Sequence, residues 1–426
     1  MLSKIQAIRG MNDILPGQSE IWLYVEDTIK QVLKNFGYQH VRMPIVEKTG
    51  LFTRGIGEVT DIVEKEMYTF LDRNDESLAL RPEGTAGCVR AGIEHGLFHN
   101  QIQRLWYTGP MFRYEKPQKG RYRQFHQIGV ETFGMATAQI DAELIILTSN
   151  IWKAFGITDS LELQLNTLGS NEARANYKVA LVDFLNGIKA DLDEDSQNRI
   201  DTNPLRVLDS KEATTQTLLD GAPDFNDYID DESKAHFEEL KALLDASGVV
   251  YTLNPRLVRG LDYYNKTVFE WVTKELGSQG TVCGGGRYDS LVEQLGGKSV
   301  PASGFGMGVE RFILLLEAMD ALPEAIKATP DVYFVAAGDG CSVAQFKLTQ
   351  QLREHLPNIH IITDCTGSKF KAQMKKADAS GAKVCLILGE NELSEQTIAV
   401  KDLRNGEQNV IQWDKLNNEL LIILEK

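Results

Sequence analysis

The chain has 426 residues, 42% of them hydrophobic, which is enough to bury a large core divided among two or three domains. Its 45 basic and 60 acidic side chains give a formal net charge of −15, which argues against a general polyanion-coating protein but not against local basic patches that bind nucleic acid. Five cysteines without a C-x-x-C pair, and the lack of an apolar run long enough to span a bilayer, predict a reduced, cytoplasmic protein with no membrane partner.

The first third of the chain is predicted to mix helices with strands. Apolar residues at helical spacing indicate an amphipathic helix over residues 19–35. The next apolar segment, FGYQHVRMPIVE, is predicted to be a strand that Pro44 breaks. Strands are then expected within 67–81 and 103–133, with a helix at 85–93 between them.

Changes in composition predict the domain boundaries. Residues 172–248 are acidic, helical and less densely apolar, which indicates a helical module inserted between a first part, 1–171, and a second part, 249–322. The segment LPEAIKATP then reads as a linker. Strands and helices alternate over 331–426, which predicts a small α/β domain with a mostly parallel sheet.

Residues 111–131 are the most informative stretch, predicted to form two strands joined by a basic turn. Alternation places a polar set of side chains on one face of this hairpin, with Ile128 and Val130 on the other. A solvated outer face would be the ordinary explanation. The flanking segments QRLWYTGPMF and VETFG are too apolar for an edge hairpin, so we expect the polar face to line a cavity. The residues on that face are Met111, Arg113, Glu115, Phe125, Gln127, Gly129 and Glu131.

A second informative segment, GFGMGVERFILLLEAM, is predicted to be a strand followed by a buried helix. Gly304, Gly306 and Gly308 alternate along the strand, so one of its faces carries no side chains and another group can approach the backbone closely. Glu310 and Arg311 fall in the first turn of the helix, where a buried cation needs an anionic partner. That partner is either a carboxylate such as Glu310 or a bound phosphate.

Three other segments carry polar groups but are ambiguous when taken singly. RLVRGLDYYNKTVFEW crowds Arg259, Tyr263 and Tyr264 into a bend, and an arginine near an aspartate and tyrosines is commonly structural. TVCGGGRYDSLVEQLGG ends a strand in three glycines, which also describes a tight turn from strand to helix. LRPEGTAGCVRAG brings Glu83 and Thr85 to the start of a helix, where they could serve the helix alone.

Taken in order along the chain, these segments resemble the class II aminoacyl-tRNA synthetases. Arg113 followed by Glu115, a basic loop and Phe125, and then GFGMGVER, is similar to motifs 2 and 3 of that class, and FGYQHVRMPIVE is similar to motif 1. RLVRGLDYYNKTVFEW and CGGGRYD resemble the two signature peptides of the histidyl-tRNA synthetase family of the bacterial type. Motifs 1 to 3 alone would indicate only the class, whereas the signature peptides are specific to the histidine branch.

The resemblance covers nearly the whole chain and implies its fold class and domain roles. It implies an α+β catalytic domain with an antiparallel sheet, contributed by residues 1–171 and 249–322 around the helical insertion. The α/β domain at 331–426 would bind the tRNA anticodon. The similarity to motif 1 further implies a homodimer.

The resemblance also implies which residues bind ATP. Arg113 is expected to hold the α-phosphate together with the histidine carboxylate through charge-assisted contacts. Glu115 would read the adenine amine while Phe125 stacks on the ring, and Arg121 and Arg311 would grip the other phosphates. Magnesium is expected with the ATP phosphates rather than in a cage of protein ligands.

A further set is implied for histidine. Arg259 is similar to the family's catalytic arginine, which stabilises the charge that develops at the α-phosphate. Glu131 and Tyr264 would flank the imidazole, one at each ring nitrogen, and Tyr263 would complete the pocket. Such a site leaves buried polar groups unpaired with any other amino acid, which explains specificity. The α-ammonium group would be received by Glu83, Thr85 and Gln127.

The tRNA contacts are implied at both ends of the chain. Gln118, Lys119 and Arg123 lie in the hairpin loop, which could meet the acceptor stem. A cluster of lysines in the C-terminal domain would meet the anticodon loop, although an ordinary solvated helix face explains it equally well. Those lysines are Lys369, Lys371, Lys375 and Lys376.

The implied reaction has two steps and needs no covalent enzyme intermediate. The carboxylate of L-histidine attacks the α-phosphorus of ATP, and a terminal ribose hydroxyl of the tRNA for histidine then takes the activated acyl group. Two alternatives remain open. A catalytically inactive member of the same fold could act as a regulatory subunit of histidine biosynthesis, and a nucleic-acid-binding module could lack chemistry altogether.

Overall fold

The computed structural model describes residues 4–57, 60, 62–210, 212–277, 280–326 and 329–425. The chain divides into two compact units, residues 1–323 and residues 324–426, and each is described by itself. Across the described residues, no helix combines the length and apolar character needed to cross a membrane.

The first unit contains eleven strands and ten α-helices among its described residues. The strands are β1 Gln39–His40, β2 Val46–Lys48, β3 Tyr68–Leu71, β4 Ser77–Leu80, β5 Gln103–Phe112, β6 Gln124–Phe133, β7 Glu162–Thr167, β8 Thr252–Leu253, β9 Asn265–Val272, β10 Thr281–Arg287 and β11 Ala302–Gly308. The helices are α1 Ser19–Asn35, α2 Thr49–Ile56, α3 Thr85–Glu94, α4 Ala138–Ala154, α5 Asn171–Gly187, α6 Glu194–Arg199, α7 Ala213–Leu218, α8 Asp231–Ala246, α9 Leu291–Gln294 and α10 Val309–Ala318.

Eight of these strands form one sheet in the order β1-β5-β6-β11-β10-β9-β7-β8. Its six central strands pair antiparallel, and only the two-residue edge strands β1 and β8 run parallel to their neighbours. The α+β fold with an antiparallel sheet is therefore confirmed, with parallel pairing limited to the edges. A separate sheet, β2-β4-β3, is antiparallel throughout.

The two faces of the large sheet have different roles. On one face Ile128 and Val130 pack with Trp152 of α4, Phe312 of α10 and Leu33 of α1 in a buried core. The opposite face of the same strands carries the polar side chains of the hairpin. The alternation seen in the sequence therefore separates core from cavity, as predicted.

One detail of the hairpin prediction was wrong. We expected the outgoing strand to continue to Glu115, but β5 ends at Phe112 and β6 begins at Gln124. The reason is a change of backbone partner, because the amide of Tyr114 donates to the carbonyl of Glu66 at 2.6 Å and no longer follows β6.

The helices α5 to α8 lie between β7 and β8 and have apolar residues of their own buried among them, including Tyr177, Leu181 and Phe225. This cluster is continuous with the apolar residues under the polar face of the sheet. The boundaries 172–248 and the other domain limits assigned from sequence stay predictions.

A buried ion pair joins four elements of this unit. Arg287, at the end of β10, is fully buried and donates to both carboxylate oxygens of Asp141 on α4, at 2.7 and 3.2 Å. Its remaining donors reach Asp289 and the carbonyl oxygens of Met135 and Thr137, at 3.0–3.1 Å. All five N–H groups of the guanidinium are thereby satisfied, which a buried arginine requires.

Asp141 in turn accepts from two more elements. Thr267 of β9 donates its hydroxyl at 2.7 Å, and Nε2 of His236 on α8 lies 2.8 Å from the same oxygen. Burial opposes the charge of Asp141, but Arg287 and His236 more than offset it and hold the pKa of this carboxyl below its ordinary value.

The second unit has five strands and four helices in its described part. The sheet order is β13-β12-β14-β15-β16, with β13, β12 and β14 parallel and the last two strands antiparallel. The α/β prediction is confirmed, and the sheet is mixed. The elements are β12 Val332–Ala336, α11 Cys341–His355, β13 Ile361–Thr363, α12 Phe370–Ala379, β14 Val384–Leu388, α13 Glu390–Glu395, β15 Thr397–Asp402, β16 Gln408–Gln412 and α14 Leu416–Glu425.

The ion pair gives a stability prediction. Arg287→Met leaves Asp141 buried without its main partner, which costs about 3–5 kcal/mol, so we expect the first thermal transition to fall by roughly 5–10 °C. Differential scanning calorimetry measures it. Lys30→Met, at an exposed pair with Asp27, is the control and should shift the transition by about 1 °C or less. An equal shift in both variants would contradict the structural role of Arg287.

Candidate active site

A cavity of about 410 Å³ lies against β6, β10 and β11. It brings together side chains from the β4–α3 connection, the hairpin loop, the segment before β9 and the first turn of α10. Eleven of the fifteen site residues predicted from sequence in this unit line it: Glu83, Thr85, Arg113, Glu115, Arg121, Phe125, Gln127, Arg259, Tyr263, Tyr264 and Arg311.

The other four predicted residues lie elsewhere. Glu131 is buried behind the cavity wall, with 1% of its surface exposed. Gln118 and Lys119 are exposed in the hairpin loop, and Arg123 packs its guanidinium 4.0 Å from the ring centre of Tyr114. The structure thus separates the residues predicted for tRNA from those predicted for the small substrates.

Glycines make room for the polar groups at the back of the cavity. A Cβ atom on Gly304 would lie 2.0 Å from Oε2 of Glu131, and one on Gly284 would lie 2.4 Å from Nη1 of Arg259. By contrast, the nearest atom to a Cβ on Gly306 would be the Gln127 amide at 3.9 Å. The alternating glycines of β11 therefore give the expected face without side chains. Glu131 occupies the space beside Gly304, and the space beside Gly306 is open.

Glu131 is held by hydroxyl groups. Oε1 accepts from Thr85 at 2.8 Å and from Tyr107 at 3.0 Å, and Oε2 accepts from Tyr288. Burial raises the pKa of Glu131 to about 8, because the three hydroxyl donors only partly offset the loss of water. The pocket therefore holds a carboxyl group whose charge depends on a ligand that can stabilise it.

Glu83 and Thr85 already have partners at the start of α3. Glu83 accepts from the amides of Thr85 and Ala86, at 2.6 and 2.9 Å, so it closes the first turn of the helix. Burial raises the pKa of Glu83 above its ordinary value despite these two bonds. Both residues line the cavity. Glu83 also accepts from the amides at the start of α3, and the hydroxyl of Thr85 also donates to Glu131.

The arginines of the cavity act on one another electrostatically. Burial lowers the pKa of Arg311, and the nearby charges of Arg121 and Arg113 lower it further. Burial also lowers the pKa of Arg113, and Arg259 adds to that effect. The positive charges that lower the pKa values of Arg311 and Arg113 would be relieved by an anion bound between them.

Individual contacts hold these arginines in place. Arg113 donates from Nε to the carbonyl of Pro82 at 2.9 Å, and its guanidinium lies 5.2 Å from the ring centre of Phe125. Arg311 donates to the carbonyl of Thr281 at 2.5 Å. The neighbouring Glu310, one of the two anionic partners considered for Arg311, accepts from the backbone amide of His126.

Two arginines pair with carboxylates inside the cavity. Arg121 forms an ion pair with Glu115, the residue expected to read adenine. Arg259 pairs with Glu270 on β9. Burial opposes the charge of Arg259, but Glu270 together with Tyr264 and Tyr263 more than offsets it, so the pKa of Arg259 lies above its ordinary value. Oε2 of Glu270 also accepts from the hydroxyl of Thr281 at 3.0 Å.

Sequence reasoning missed several residues of the site. Tyr107 lies on β5 in the same alternating series as Met111, so extending that series two residues at a time would have found it. Tyr288 and Glu270 stand inside the segments CGGGRYD and TVFEW, but no pattern assigned them a task. No sequence signal placed Arg206, from the helical segment between β7 and β8, at the cavity wall.

An antiparallel sheet with a strand–helix of alternating glycines, facing arginines that surround one cavity, defines a class II aminoacyl-tRNA synthetase. The family model described as histidyl-tRNA synthetase matches residues 10–312, and the anticodon binding domain matches residues 331–421. The chain belongs to the histidyl-tRNA synthetase family.

Known relatives agree over the full length. A histidine–tRNA ligase of Marinomonas sp. (strain MWYL1) is 61% identical over 408 residues, 96% of each chain. The apo histidyl-tRNA synthetase of S. aureus has 37% identity and a TM-score of 0.82 over 98% of this chain and all of that one. The histidyl-tRNA synthetase of Nostoc sp. PCC 7120, at 21% identity and a TM-score of 0.69 over 99% of this chain and all of that one, shares the fold. The high identity to a ligase supports the synthetase and not the regulatory alternative.

The state of Glu131 gives a pH-dependent prediction. Between the pKa of an unfolded glutamate, about 4.3, and that of buried Glu131, about 8, the unfolded chain has lost a proton that the folded chain keeps, so Glu131 makes the fold less stable as pH rises. Glu131→Gln removes this loss. Its melting temperature should match the parental one at pH 5 and exceed it by several degrees at pH 8.5.

The control for this measurement is Glu172→Gln, at an exposed position on α5. It should track the parental protein at both pH values. A difference between Glu131→Gln and the parental chain that is the same at pH 5 and pH 8.5 would show that Glu131 does not titrate in this range.

Proposed function

We propose that this cavity activates L-histidine with ATP, forming histidyl-adenylate and pyrophosphate, and then passes histidine to the terminal ribose of its tRNA. The observation that carries the proposal is a cavity lined by five arginines and backed by the buried, hydroxyl-bound Glu131. The first set suits a polyphosphate, and the second suits an imidazole. Catalysis then comes from positioning and electrostatics rather than from a covalent intermediate.

ATP is assigned to the hairpin side of the cavity. Arg113 takes the α-phosphate, while Arg121 and Arg311 take the outer phosphates, in keeping with the lowering of the Arg311 pKa by the charges of Arg121 and Arg113. Phe125 stacks on adenine, and Glu115 accepts from the adenine amine. Glu115 becomes available when Arg121 leaves its ion pair for a phosphate.

Magnesium is assigned to the substrate as Mg–ATP. Two carboxylates that line the cavity are engaged, Glu270 by Arg259 and Glu310 by His126. This suits an ion that arrives with phosphate and water ligands. When bound, it neutralises part of the phosphate charge, and the arginines of the chain neutralise the remainder.

Histidine is assigned to the side of the cavity that Glu131 closes. Glu131 and Tyr264 bind the two imidazole nitrogens. Tyr263 packs against Tyr264, with 4.7 Å between the centres of the two tyrosine rings. The α-ammonium group goes to Glu83, Thr85 and Gln127. The histidine carboxylate is left beside Arg113 and Arg259, where it attacks the α-phosphorus in line.

Arg259 is assigned the catalytic role. Glu270 holds its guanidinium in place and keeps it charged, so it can stabilise the negative charge that develops on the α-phosphate. Its position above the ring of Tyr264, at 5.5 Å from the ring centre, joins the catalytic group to the imidazole site.

The tRNA is assigned to the surfaces outside the cavity. Gln118, Lys119 and Arg123 of the hairpin loop meet the acceptor stem, and the second unit binds the anticodon loop through its lysine cluster. In that cluster Lys369, Lys371 and Lys375 are exposed, and Lys376 donates to Thr366 at 2.6 Å. We further propose a cytoplasmic homodimer, on the strength of the family.

The proposed reaction predicts exchange of labelled pyrophosphate into ATP that depends on added histidine. Each of the other standard amino acids fails to supply the two imidazole nitrogens to Glu131 and Tyr264, so exchange should fall by about 10⁴-fold or more. An exchange assay with the purified chain measures both. Exchange that runs equally well with another amino acid, or with none, would contradict the proposal.

The catalytic role predicts that Arg259→Ala slows adenylate formation at least about hundredfold in single-turnover assays while histidine still binds. Because this variant leaves Glu270 unpaired, the double variant Arg259→Ala/Glu270→Gln is the matched control. It should be equally slow and recover any lost thermal stability. A near-normal rate in the double variant would remove Arg259 from the chemistry.

A further inference from the structure

The segment between β8 and β9 carries Arg259, Tyr263 and Tyr264 but has no regular secondary structure of its own. Its position therefore depends on contacts with its surroundings. On one side the amide of Asp262 donates to the carbonyl of Ile56, at the end of α2, at 3.4 Å. We call residues 256–264 the signature loop.

On the other side, Arg174 of α5 holds the signature loop by its backbone. Its Nη1 donates to the carbonyl of Asp262 at 3.2 Å and to the carbonyl of Tyr264. These two carbonyls flank Tyr263, so one guanidinium nitrogen spans the segment that carries both tyrosines of the proposed imidazole site.

The placement of Arg174 is unfavourable apart from these contacts. It lies in the first turn of α5, where a cation opposes the helix dipole. Burial lowers its pKa, and Asp262 opposes that effect only in part. Arg174 is thus a half-buried cation at a helix start whose hydrogen bonds go to two carbonyl oxygens of the signature loop. We infer that holding this loop is the role of Arg174 at this position.

The same helical segment holds the signature loop at three more points. Nδ2 of Asn203 donates to Oδ1 of Asp262 at 2.9 Å, and Nη1 of Arg206 donates to the carbonyl of Gly260 at 3.3 Å. At the start of the loop, Arg256 pairs with Asp220 at 2.6 Å. The loop is thus fastened along its length to α5–α8 and the turns between them.

We propose that Arg174 is a positioning residue for histidine activation, acting through the backbone of Asp262 and Tyr264 to hold the signature loop in the cavity. This inference rests on the proposed function. It makes the helices between β7 and β8 part of the amino-acid site, in addition to any contact they make with tRNA.

The proposal separates the two small substrates. Arg174 acts on the loop that carries the histidine contacts, whereas the proposed ATP contacts come from the hairpin and α10, which Arg174 does not contact in the interactions described above. Loss of Arg174 should therefore raise KM for histidine and leave KM for ATP unchanged, while any displacement of Arg259 on the same loop lowers kcat. A merely structural role would reduce the fraction of active protein and change neither KM.

The test is pyrophosphate exchange with Arg174→Met in the full chain. We expect KM for histidine to rise roughly tenfold or more, because two hydrogen bonds from a charged donor are lost, while KM for ATP stays within twofold. Arg174→Lys keeps one charged donor and should lie between the parental chain and Arg174→Met. Lys178→Met, exposed one turn further along α5, is the control and should match the parental values.

Each outcome bears on the proposal. A histidine KM within twofold of the parental value in Arg174→Met, or an equal rise in both KM values, overturns it. If Arg174→Met does not fold, Arg174→Lys carries the test, and a histidine KM within twofold of the parental one overturns the proposal. Absence of histidine-dependent exchange in the parental chain is a different result, since it removes the proposed function itself.

Discussion

The buried pair between Arg287 and Asp141 is the constraint on which the rest of the catalytic unit depends. It joins the end of β10 to α4, β9 and α8 in an interior where neither charge could remain alone. The next residue, Tyr288, points to the opposite side and donates to Glu131. Two consecutive residues of the second signature thus anchor the framework with one side chain and support the proposed imidazole site with the next, so both depend on the same backbone.

The cavity is lined by five arginines and five carboxylates, and its charges are balanced in part by pairing within it. Glu115 and Glu270 each pair with an arginine, whereas Arg113 and Arg311 hold their places through carbonyl oxygens. This arrangement keeps the cations oriented without neutralising all of them. Preorganised charge of this kind acts on a phosphate without the reorganisation that water would need.

Much of this could be predicted from the sequence, because alternation and glycine spacing are local signals. Helix α1 was predicted at residues 19–35 and occurs there, and eleven of the fifteen expected residues line one cavity. Helix α4 and strand β7 were not predicted: α4 is buried on nearly every face, so it lacks a clear amphipathic pattern. Arg206 depends on the fold of a distant segment, which no local pattern contains, whereas Tyr107 lay within reach of the alternation on β5.

The ion pair between Arg121 and Glu115 has a consequence for how nucleotide enters. In the proposed function both residues are destined for ATP, one for a phosphate and the other for the base, yet before binding they occupy each other. Entry of ATP is then a double exchange of partners, in which one internal contact is replaced by two external ones. Arg121 and Glu115 therefore compete with ATP for each other. Only a ligand that presents an anion to Arg121 and an amine donor to Glu115 replaces the partner of both residues. Inorganic triphosphate or adenosine alone would replace only one of the two partners, so in the proposed function this ion pair favours the complete nucleotide.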